Sequence, residues 1–371
     1  MTVWSNLRLV LVIPLLLWSL LAVLQAPHGV LWKPAVVATE AGHVLAVLCA
    51  LLLLGGWGSR RAAVAFGCAA VATVLFASPA VRGAAYARSA GPTLEAFGPR
   101  PAPGPEQSAE FVVASYVGAA GQEQPLRLYG ARPRDVPAPL VVVVHGGSWK
   151  SGDESQLPGI NERLAAQGYV VAAISYRLAP AHRFPSPVDD IPAAVADLRS
   201  RATEYGIDPE RVVLLGRSAG GQIALAAGYR GADPGIVGVV SLYAPTDLVW
   251  SWAHPANPWI LDTFGSLTGY LGGGPDDHPA AYAAASPLGH VGPQTPPTLL
   301  LHGQRDELVS HQHAVRLAGA LSDAGVPHIF LSLPWATHGC DASLGGPAGR
   351  LYVDALDRFL HRVAGPGATA R

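Results

Sequence analysis

The sequence predicts an α/β fold, a doubly wound and mostly parallel sheet with a cap insertion, preceded by three transmembrane helices. Charge is scarce and unevenly spread. Only 14% of the 371 residues are charged, against about 25% in an ordinary soluble domain, and just seven charged residues lie in the first 90. Strand-like and helix-like segments alternate after residue 108, with one long interruption. We therefore expect residues 1–90 to be a membrane domain and residues 108–365 to be globular.

Three apolar segments account for the membrane prediction, at about 9–25, 35–55 and 62–81. Each approaches the ~20 residues that a helix needs to cross about 30 Å of hydrocarbon. The first segment alone has the length of a signal peptide. However, Arg8 is its only basic flanking residue, a proline follows the plausible cleavage position, and two further segments come after it. We interpret it as an anchor.

Two polar residues, Glu40 and His43, lie near the start of the second apolar segment, three positions apart on one helical face. Ionisable residues inside a membrane are often functional, so the pair is a candidate intramembrane site. The alternative is that both lie at the level of the lipid headgroups or between helices. The sequence leaves both interpretations open.

Lys and Arg residues in the short connections divide equally between the two sides of the membrane. The tight pair Arg60–Arg61 favours the cytoplasm for its connection, because positive residues accumulate in cytoplasmic loops. Three spans then place the C-terminal domain outside. We expect an integral protein of the cell membrane whose globular domain is extracytoplasmic.

A Pro/Gly-rich stretch at residues 91–107 is typical of a semi-rigid linker, and residues 366–371 are expected to be a flexible tail. The globular domain between them alternates strands with helices, which indicates a parallel sheet covered by helices on both faces. The interval at about 247–291 is rich in Trp, Gly and Pro and is predicted to be a cap over one end of the sheet. The predicted segments are an opening hairpin (Phe111–Val117, Leu126–Tyr129), further strands (Leu140–Val144, Tyr169–Ser175, Arg211–Leu215, Ile236–Leu242, Thr298–Leu301, His328–Leu333) and helices (Leu157–Gln167, Val188–Tyr205, Ser218–Ala227, His311–Ala324, Gly349–Val363).

Composition excludes several classes of function. The net charge is −1, which gives no electrostatic basis for binding nucleic acid. Three scattered cysteines form neither a disulfide framework nor a Cys-x-x-Cys motif, and no Cys/His spacing is typical of a metal site. We expect no metal and no cofactor.

The strongest chemical signal is the pentapeptide Gly216–Gly220, a G-x-S-x-G sequence between a predicted strand and a predicted helix. In that setting the serine occupies a sharp turn, and the helix N-terminus faces developing negative charge. Ser218 is therefore the candidate nucleophile. The competing interpretation is a glycine-rich turn with a capping serine.

A second motif, HGGSW at residues 145–149, follows the strand Leu140–Val144 directly. Acyl transfer requires backbone N–H donors at the position where a carbonyl oxygen becomes an oxyanion, and glycines let the main chain approach closely. We expect Gly146 and Gly147, with the N–H of Ala219, to form this oxyanion hole. An ordinary turn after a strand is the alternative.

The remaining catalytic partners should follow the serine in the order acid, then histidine. Asp306 and His338 each follow a predicted strand, at the edge where a doubly wound sheet carries its site. We expect His338 to accept the proton of Ser218 and Asp306 to orient the imidazole. Glu307 competes with Asp306 for the acid role. Other histidines nearby are interpreted as surface or structural residues: His302, His311 and His313.

Together these motifs resemble the α/β-hydrolase fold. The resemblance covers residues 110–364 and includes HGGSW, the YRLAP sequence with Asp189 and Asp190, GRSAGG, HGQRDELV and ATHG. The most similar branch is the esterases related to hormone-sensitive lipase, including feruloyl and acetyl-xylan esterase-like members. The resemblance implies a carboxylic ester hydrolase without a cofactor. One departure is Ser148, where many members have a third glycine; the form HGG-x-W is also typical of kynurenine-formamidase-like hydrolases.

Aromatic residues are the expected lining of the substrate pocket: Trp149 of the HGGSW motif and, in the cap, Trp250, Trp252 and Trp259. Aromatic rings supply apolar contact area in small-molecule sites. The alternative is that the cap residues only pack the cap against the domain.

The sequence thus predicts a membrane-anchored serine carboxylic ester hydrolase that cleaves small to medium acyl esters through an acyl-enzyme intermediate. Its expected partners are the ester substrate and the lipid bilayer. Two alternatives remain, a formamidase-like amide hydrolase and a non-catalytic membrane receptor or scaffold that retains a hydrolase fold.

Overall fold

The structure, a computed structural model, describes residues 2–54, 59–99, 110–231 and 233–365, with side chains from residue 7 onward. Eight strands of the described residues form one sheet in the order β1-β2-β4-β3-β5-β6-β7-β8. The strands β1 and β2 form an antiparallel hairpin at one edge, and every pair from β4 to β8 is parallel. The strands are β1 (Phe111–Val117), β2 (Glu123–Tyr129), β3 (Ala138–Val144), β4 (Val170–Ile174), β5 (Ile207–Arg217), β6 (Ile236–Leu242), β7 (Thr298–Gly303) and β8 (His328–Leu333).

Helices cover both faces of this sheet, as the alternating pattern predicts. The helices are α1 (Thr2–Ser19), α2 (Trp32–Glu40), α3 (Gly42–Leu51), α4 (Arg60–Phe97), α5 (Gly159–Ala166), α6 (Ser186–Ser200), α7 (Ala202–Tyr205), α8 (Ala219–Arg230), α9 (Leu248–Ala253), α10 (Thr263–Leu271), α11 (Pro279–Ala285), α12 (Gln312–Asp323) and α13 (Pro347–Ala364). One apolar core lies between the sheet and α6, α8 and α12, and a second lies between the sheet and α5 and α13. The central strand β3 contributes to both, because its apolar residues alternate between the two faces.

The N-terminal region differs from three separate spanning helices. Within the described residues, α4 alone is long and apolar enough to cross a membrane, or two such units exist if α2 and α3 count as one span bent by 77°. The first helical segment, which joins α1 to the 3-10 turn Leu20–Ala22, is apolar over residues 7–22 and is shorter. The helices α1 and α3 pack along the first half of α4, and many of their apolar side chains remain exposed.

The bend between α2 and α3 has an identifiable packing cause. The carboxylate of Glu40 is buried and accepts a hydrogen bond from the N–H of Ala348, in the first turn of α13, at 2.9 Å. Gly42 lies so close to α4 that an added Cβ would come within 2.5 Å of the carbonyl oxygen of Phe76. The helix α2 is therefore held against the globular domain while α3 turns towards α4. His43 is exposed and does not share the environment of Glu40.

The helix α4 continues beyond the predicted third segment and includes residues 91–97 of the predicted linker. Tertiary packing explains this extension: Leu94 and Phe97 are buried, and the ring of Phe97 stacks on Phe359 of α13 with centroids 5.8 Å apart. Arg362 donates a hydrogen bond to the carbonyl oxygen of Phe97 at 2.6 Å, which satisfies one of the unpaired carbonyls at the helix end. Residues 100–107 of the predicted linker and the predicted tail, residues 366–371, lie outside the described residues.

Candidate active site

Ser218 occupies a sharp turn between β5 and α8, as the pentapeptide predicts. Its backbone has φ 53° and ψ −121°, a conformation that non-glycine residues rarely adopt. The neighbouring chain must approach very closely here, since a Cβ on Gly220 would lie 2.2 Å from the carbonyl oxygen of His145. The turn thus holds the serine hydroxyl at the carboxyl edge of the sheet, at the N-terminus of α8.

The three predicted catalytic side chains form one chain of hydrogen bonds. The Nε2 atom of His338 lies 3.0 Å from the Oγ of Ser218, and its Nδ1 atom lies 2.7 Å from Oδ2 of Asp306. Both distances are normal for hydrogen bonds. The imidazole is therefore in position to exchange a proton with the serine on one side and to be oriented by a carboxylate on the other.

Asp306 is fully buried and accepts several hydrogen bonds. Its Oδ1 accepts from the N–H groups of Leu308 and Val309, both at 2.9 Å, and Nε2 of His302 lies 3.1 Å from its Oδ2. Burial opposes ionisation of Asp306, but attraction to His338 and the hydrogen bonds of His302 and His338 hold its pKa well below the usual range. Asp306 is thus a fixed negative charge beside the imidazole.

Glu307, the competing acid, does not contact His338. Neither of its carboxylate oxygens has a hydrogen-bond partner among the described residues. Burial and the charge of Asp306 raise the pKa of Glu307 to about 7. The geometry therefore favours Asp306 over Glu307 as the partner of the histidine.

The loop after β3 requires one correction to the predicted oxyanion hole. The N–H of Gly146 already donates a hydrogen bond to the Oε1 of Gln156 at 2.8 Å. It is therefore not free to donate to an oxyanion of the substrate. Gly147 has φ 129°, and an added Cβ would lie 1.9 Å from the carbonyl oxygen of Ser151. The next residue, Ser148, lines the cavity beside Ser218 together with Ala219. The candidate donors are thus the N–H groups of Gly147, Ser148 and Ala219, of which Ser148 was not predicted from the sequence.

Trp149 ties this loop to the cap. Its indole Nε1 donates to the Oε1 of Gln222 at 2.7 Å, and its ring stacks on Tyr270 of α10 with centroids 4.5 Å apart. The amide of Gln222 in turn donates to the carbonyl oxygen of Ala285 at 2.7 Å. A buried, satisfied network of this kind fixes the orientation of its members, so the cap and the loop after β3 are held together.

A buried ion pair beneath the histidine was not anticipated from the sequence. The ring of Tyr243 lies against His338, with centroids 4.3 Å apart, and its hydroxyl donates to Oδ1 of Asp341 at 2.5 Å. Oδ2 of Asp341 accepts from Nε of Arg217 at 2.5 Å. Burial and the carboxylate of Asp341 raise the pKa of Tyr243 well above its usual value, so the phenol remains a neutral donor. The only signal for this ion pair in the sequence was Arg217, the arginine inside the G-x-S-x-G motif.

A cavity of about 310 Å³ opens beside Ser218, and its lining corrects the prediction for the cap tryptophans. Trp149 lines this cavity, whereas Trp250, Trp252 and Trp259 do not. Trp250 stacks on His254, Trp252 packs edge-on against Phe264, and Trp259 is exposed. The rings of the three cap tryptophans pack within the cap or face solvent. Smaller side chains of the cap, such as Ile260 and Leu261, line the cavity instead.

The N-terminal region contacts the loops that carry the acid and the histidine. Nε1 of Trp32 donates to the backbone carbonyl oxygen of His338 at 2.8 Å. The guanidinium of Arg305, next to Asp306, donates to the carbonyl oxygens of Leu21 and Leu24, and to that of Ala22 at 2.7 Å. The end of the first helical segment thus contacts the loop of the acid, and the start of α2 contacts the loop of the histidine.

This arrangement is suited to nucleophilic acyl transfer. It combines a serine in a strained turn, a histidine within hydrogen-bond distance, a buried carboxylate and candidate backbone donors beside the serine. Within the described part of the chain, no group of three or more His, Cys, Asp or Glu side chains is placed to hold a metal ion.

The chain is similar in sequence to proteins named as esterases. The family model BD-FAE matches residues 126–321, more than half of the chain. Esterase LipC of Mycobacterium tuberculosis is 31% identical over 242 residues, which cover 61% of this chain and 59% of LipC. Esterase LipQ of the same organism is 28% identical over 271 residues, which cover 68% of this chain and 63% of LipQ. The chain thus spans less than two thirds of the length of these curated relatives.

Solved structures give the same result for the fold. A bacterial heroin esterase aligns with a TM-score of 0.59 and 26% identity, over 74% of this chain and 89% of that chain. An esterase from Pyrobaculum calidifontis aligns with a TM-score of 0.58 and 24% identity, over 74% of this chain and 92% of that chain. These likenesses confirm the fold that the motifs predict.

Proposed function

Because the chain belongs to the BD-FAE family and has the α/β-hydrolase fold, we propose that it is a carboxylesterase-type serine hydrolase of the branch related to hormone-sensitive lipase. The observation that carries the proposal is the hydrogen-bonded chain from Ser218 through His338 to Asp306. Relatives named as esterases support the same reaction class.

In the proposed reaction, His338 removes the hydroxyl proton of Ser218 as Oγ attacks the ester carbonyl carbon. The N–H groups of Gly147, Ser148 and Ala219 stabilise the resulting oxyanion. The protonated imidazole, stabilised by Asp306, then gives the proton to the leaving alcohol and an acyl-enzyme forms. Water, activated by His338, attacks the acyl-enzyme, releases the carboxylic acid and restores the serine. The cavity of about 310 Å³ is consistent with small to medium acyl groups.

The purified full chain is expected to hydrolyse p-nitrophenyl acetate and to be labelled covalently by a fluorophosphonate. Peptide mass spectrometry should locate the label on Ser218, because its hydroxyl is the one within reach of His338. An N-formyl aryl amine, assayed in parallel, distinguishes ester from formamide hydrolysis. A chain that neither reacts with the label nor turns over the ester would contradict the proposed function.

We also propose that residues 1–90 anchor the enzyme in the cell membrane, through the apolar segments at about 9–25, 35–55 and 62–81, with the catalytic domain outside the cytoplasm. The support is the apolar helix α4 together with exposed apolar side chains on α1 and α3. These side chains have no protein cover among the described residues, as is expected of helices that face lipid.

Cysteine labelling tests the side of the membrane. A membrane-impermeant maleimide should label Gly104→Cys, in the predicted linker, in intact cells that express the full chain. Its matched control, Gly58→Cys in the connection with Arg60 and Arg61, should react only after lysis, since that connection is predicted to be cytoplasmic. The reverse pattern would overturn the proposed orientation.

A further inference from the structure

The active-site cavity is walled in part by the N-terminal region. Gln25 and Ala26 line the cavity along with Ser218, and they follow Ala22, where the first helical segment ends, by three and four residues. Three extended residues span at most about 11 Å. If the first helical segment lies in the bilayer, this wall of the cavity must lie near the bilayer surface.

A turn of the cap forms another part of the cavity wall, and it contacts the connection after the first helical segment. The N–H of Gly29 donates to the carbonyl oxygen of Trp259 at 2.9 Å, and the ring of His28 packs edge-on against the indole of Trp259 at 5.7 Å. Ile260, the next residue, lines the cavity. The connection after the first helical segment and this turn of the cap therefore form a joint wall of the cavity.

Exposed apolar side chains flank the lining residues of this wall. We call Leu24, Val30 and Trp259 the apolar rim; they are 55%, 73% and 69% exposed. The rim is continuous along the chain with the exposed apolar side chains of α1, which include Leu11, Ile13 and Leu17. Clustered exposed apolar residues mark interaction sites, and Trp is enriched where apolar helices meet lipid headgroups.

We propose that the apolar rim rests in the surface of the lipid bilayer and that the cavity receives esters dissolved in the bilayer, namely amphiphiles whose acyl or alcohol part is apolar. This inference rests on the proposed function and names the substrate class of the same site. The continuity of the apolar rim with the exposed apolar side chains of α1 favours the lipid bilayer as the surface that covers the rim. A substrate in the outer leaflet then reaches Ser218 without crossing the aqueous phase.

The first experiment uses a fluorophore to test whether the apolar rim lies in the bilayer. Val30→Cys, in a Cys68→Ala background, is labelled with a nitrobenzoxadiazole dye, and the full chain is reconstituted in phosphatidylcholine vesicles with or without nitroxide-labelled lipid. The matched control is Val136→Cys, which is 78% exposed and precedes β3, at the end of the strand away from the site. Quenching by the nitroxide lipid is expected at residue 30 and not at residue 136. Equal quenching, or none at residue 30, would overturn the proposal.

Substrate class is tested with two esters, p-nitrophenyl acetate in solution and p-nitrophenyl decanoate dissolved in the vesicles. The double variant Leu24→Asp/Val30→Asp should lower the ratio of decanoate rate to acetate rate about tenfold, because two apolar contacts with lipid are lost. Val136→Asp should leave the ratio unchanged. An unchanged ratio in the double variant would count against the proposal, and if that variant fails to fold, the quenching result decides.

Two further outcomes are informative. A disulfide-linked dimer through Val30→Cys that protects the rim from lipid quenching would assign the rim to a second copy of the chain and overturn the proposal. Absence of acetate hydrolysis by the unmodified chain would instead contradict the proposed function, since this soluble ester does not depend on the bilayer.

Discussion

Ser218→Ala is expected to lower kcat for p-nitrophenyl acetate by about 10⁴- to 10⁶-fold, the range associated with loss of the nucleophile in serine hydrolases. The substitution removes the Oγ atom that lies 3.0 Å from Nε2 of His338 and leaves the imidazole without a proton donor. The acyl-enzyme can then no longer form. The measurement is the steady-state rate together with fluorophosphonate labelling, and both signals should disappear.

Ser200→Ala is the matched control for this variant. Ser200 is exposed at the end of α6, and its hydroxyl bonds only to the carbonyl oxygen of Asp197, so the same chemical change should leave kcat unaltered. Circular dichroism of both variants checks that the fold is retained. If Ser218→Ala kept more than about a tenth of the original rate, which corresponds to a change of only about 1.4 kcal/mol in the barrier, the nucleophile would have to be another residue.

The candidate catalytic side chains could be proposed from the sequence because each has a recognisable place in it. A serine between a strand and a helix, with glycines two residues away on both sides, defines its own turn, and φ 53° at Ser218 agrees with that rule. Asp306 and His338 were found from their order in the chain and their position after strands. Their hydrogen-bonded contact, by contrast, depends on the parallel pairing of β7 with β8, which brings the two loops together.

The residues that sequence reasoning missed depend on contacts between distant parts of the chain. The N–H of Gly146 is engaged by Gln156, a residue with no recognisable motif, and this shifts the candidate oxyanion donors to Gly147 and Ser148. The bend between α2 and α3 follows from a carboxylate–amide contact 308 residues apart in the sequence. An apolar pattern alone predicts one straight span there, because hydropathy carries no information on where Glu40 finds its partner.

Asp306→Asn is expected to lower kcat by about 10⁴-fold at neutral pH, the effect known for the corresponding change in a catalytic triad. The carboxylate bonds Nδ1 of His338 at 2.7 Å and remains ionised, because the interactions with His338 and His302 hold its pKa below the usual range. An amide at this position loses the charge that stabilises the imidazolium. It also presents an NH₂ donor that favours the wrong tautomer of the imidazole. The measurement is kcat and KM at neutral pH, and we expect kcat to carry nearly all of the loss.

Glu307→Gln, the matched control at the adjacent position, makes the same acid-to-amide change and should keep kcat within about threefold of the unmodified enzyme, a barrier change of about 0.7 kcal/mol. Glu307 lines the cavity but has no hydrogen bond to His338. Because burial and the charge of Asp306 raise the pKa of Glu307 to about 7, any contribution of its charge should appear as a difference between the two enzymes above pH 7 and vanish below it. If Glu307→Gln caused the large loss and Asp306→Asn the small one, the acid role would belong to Glu307, and the contact between Asp306 and His338 would be structural.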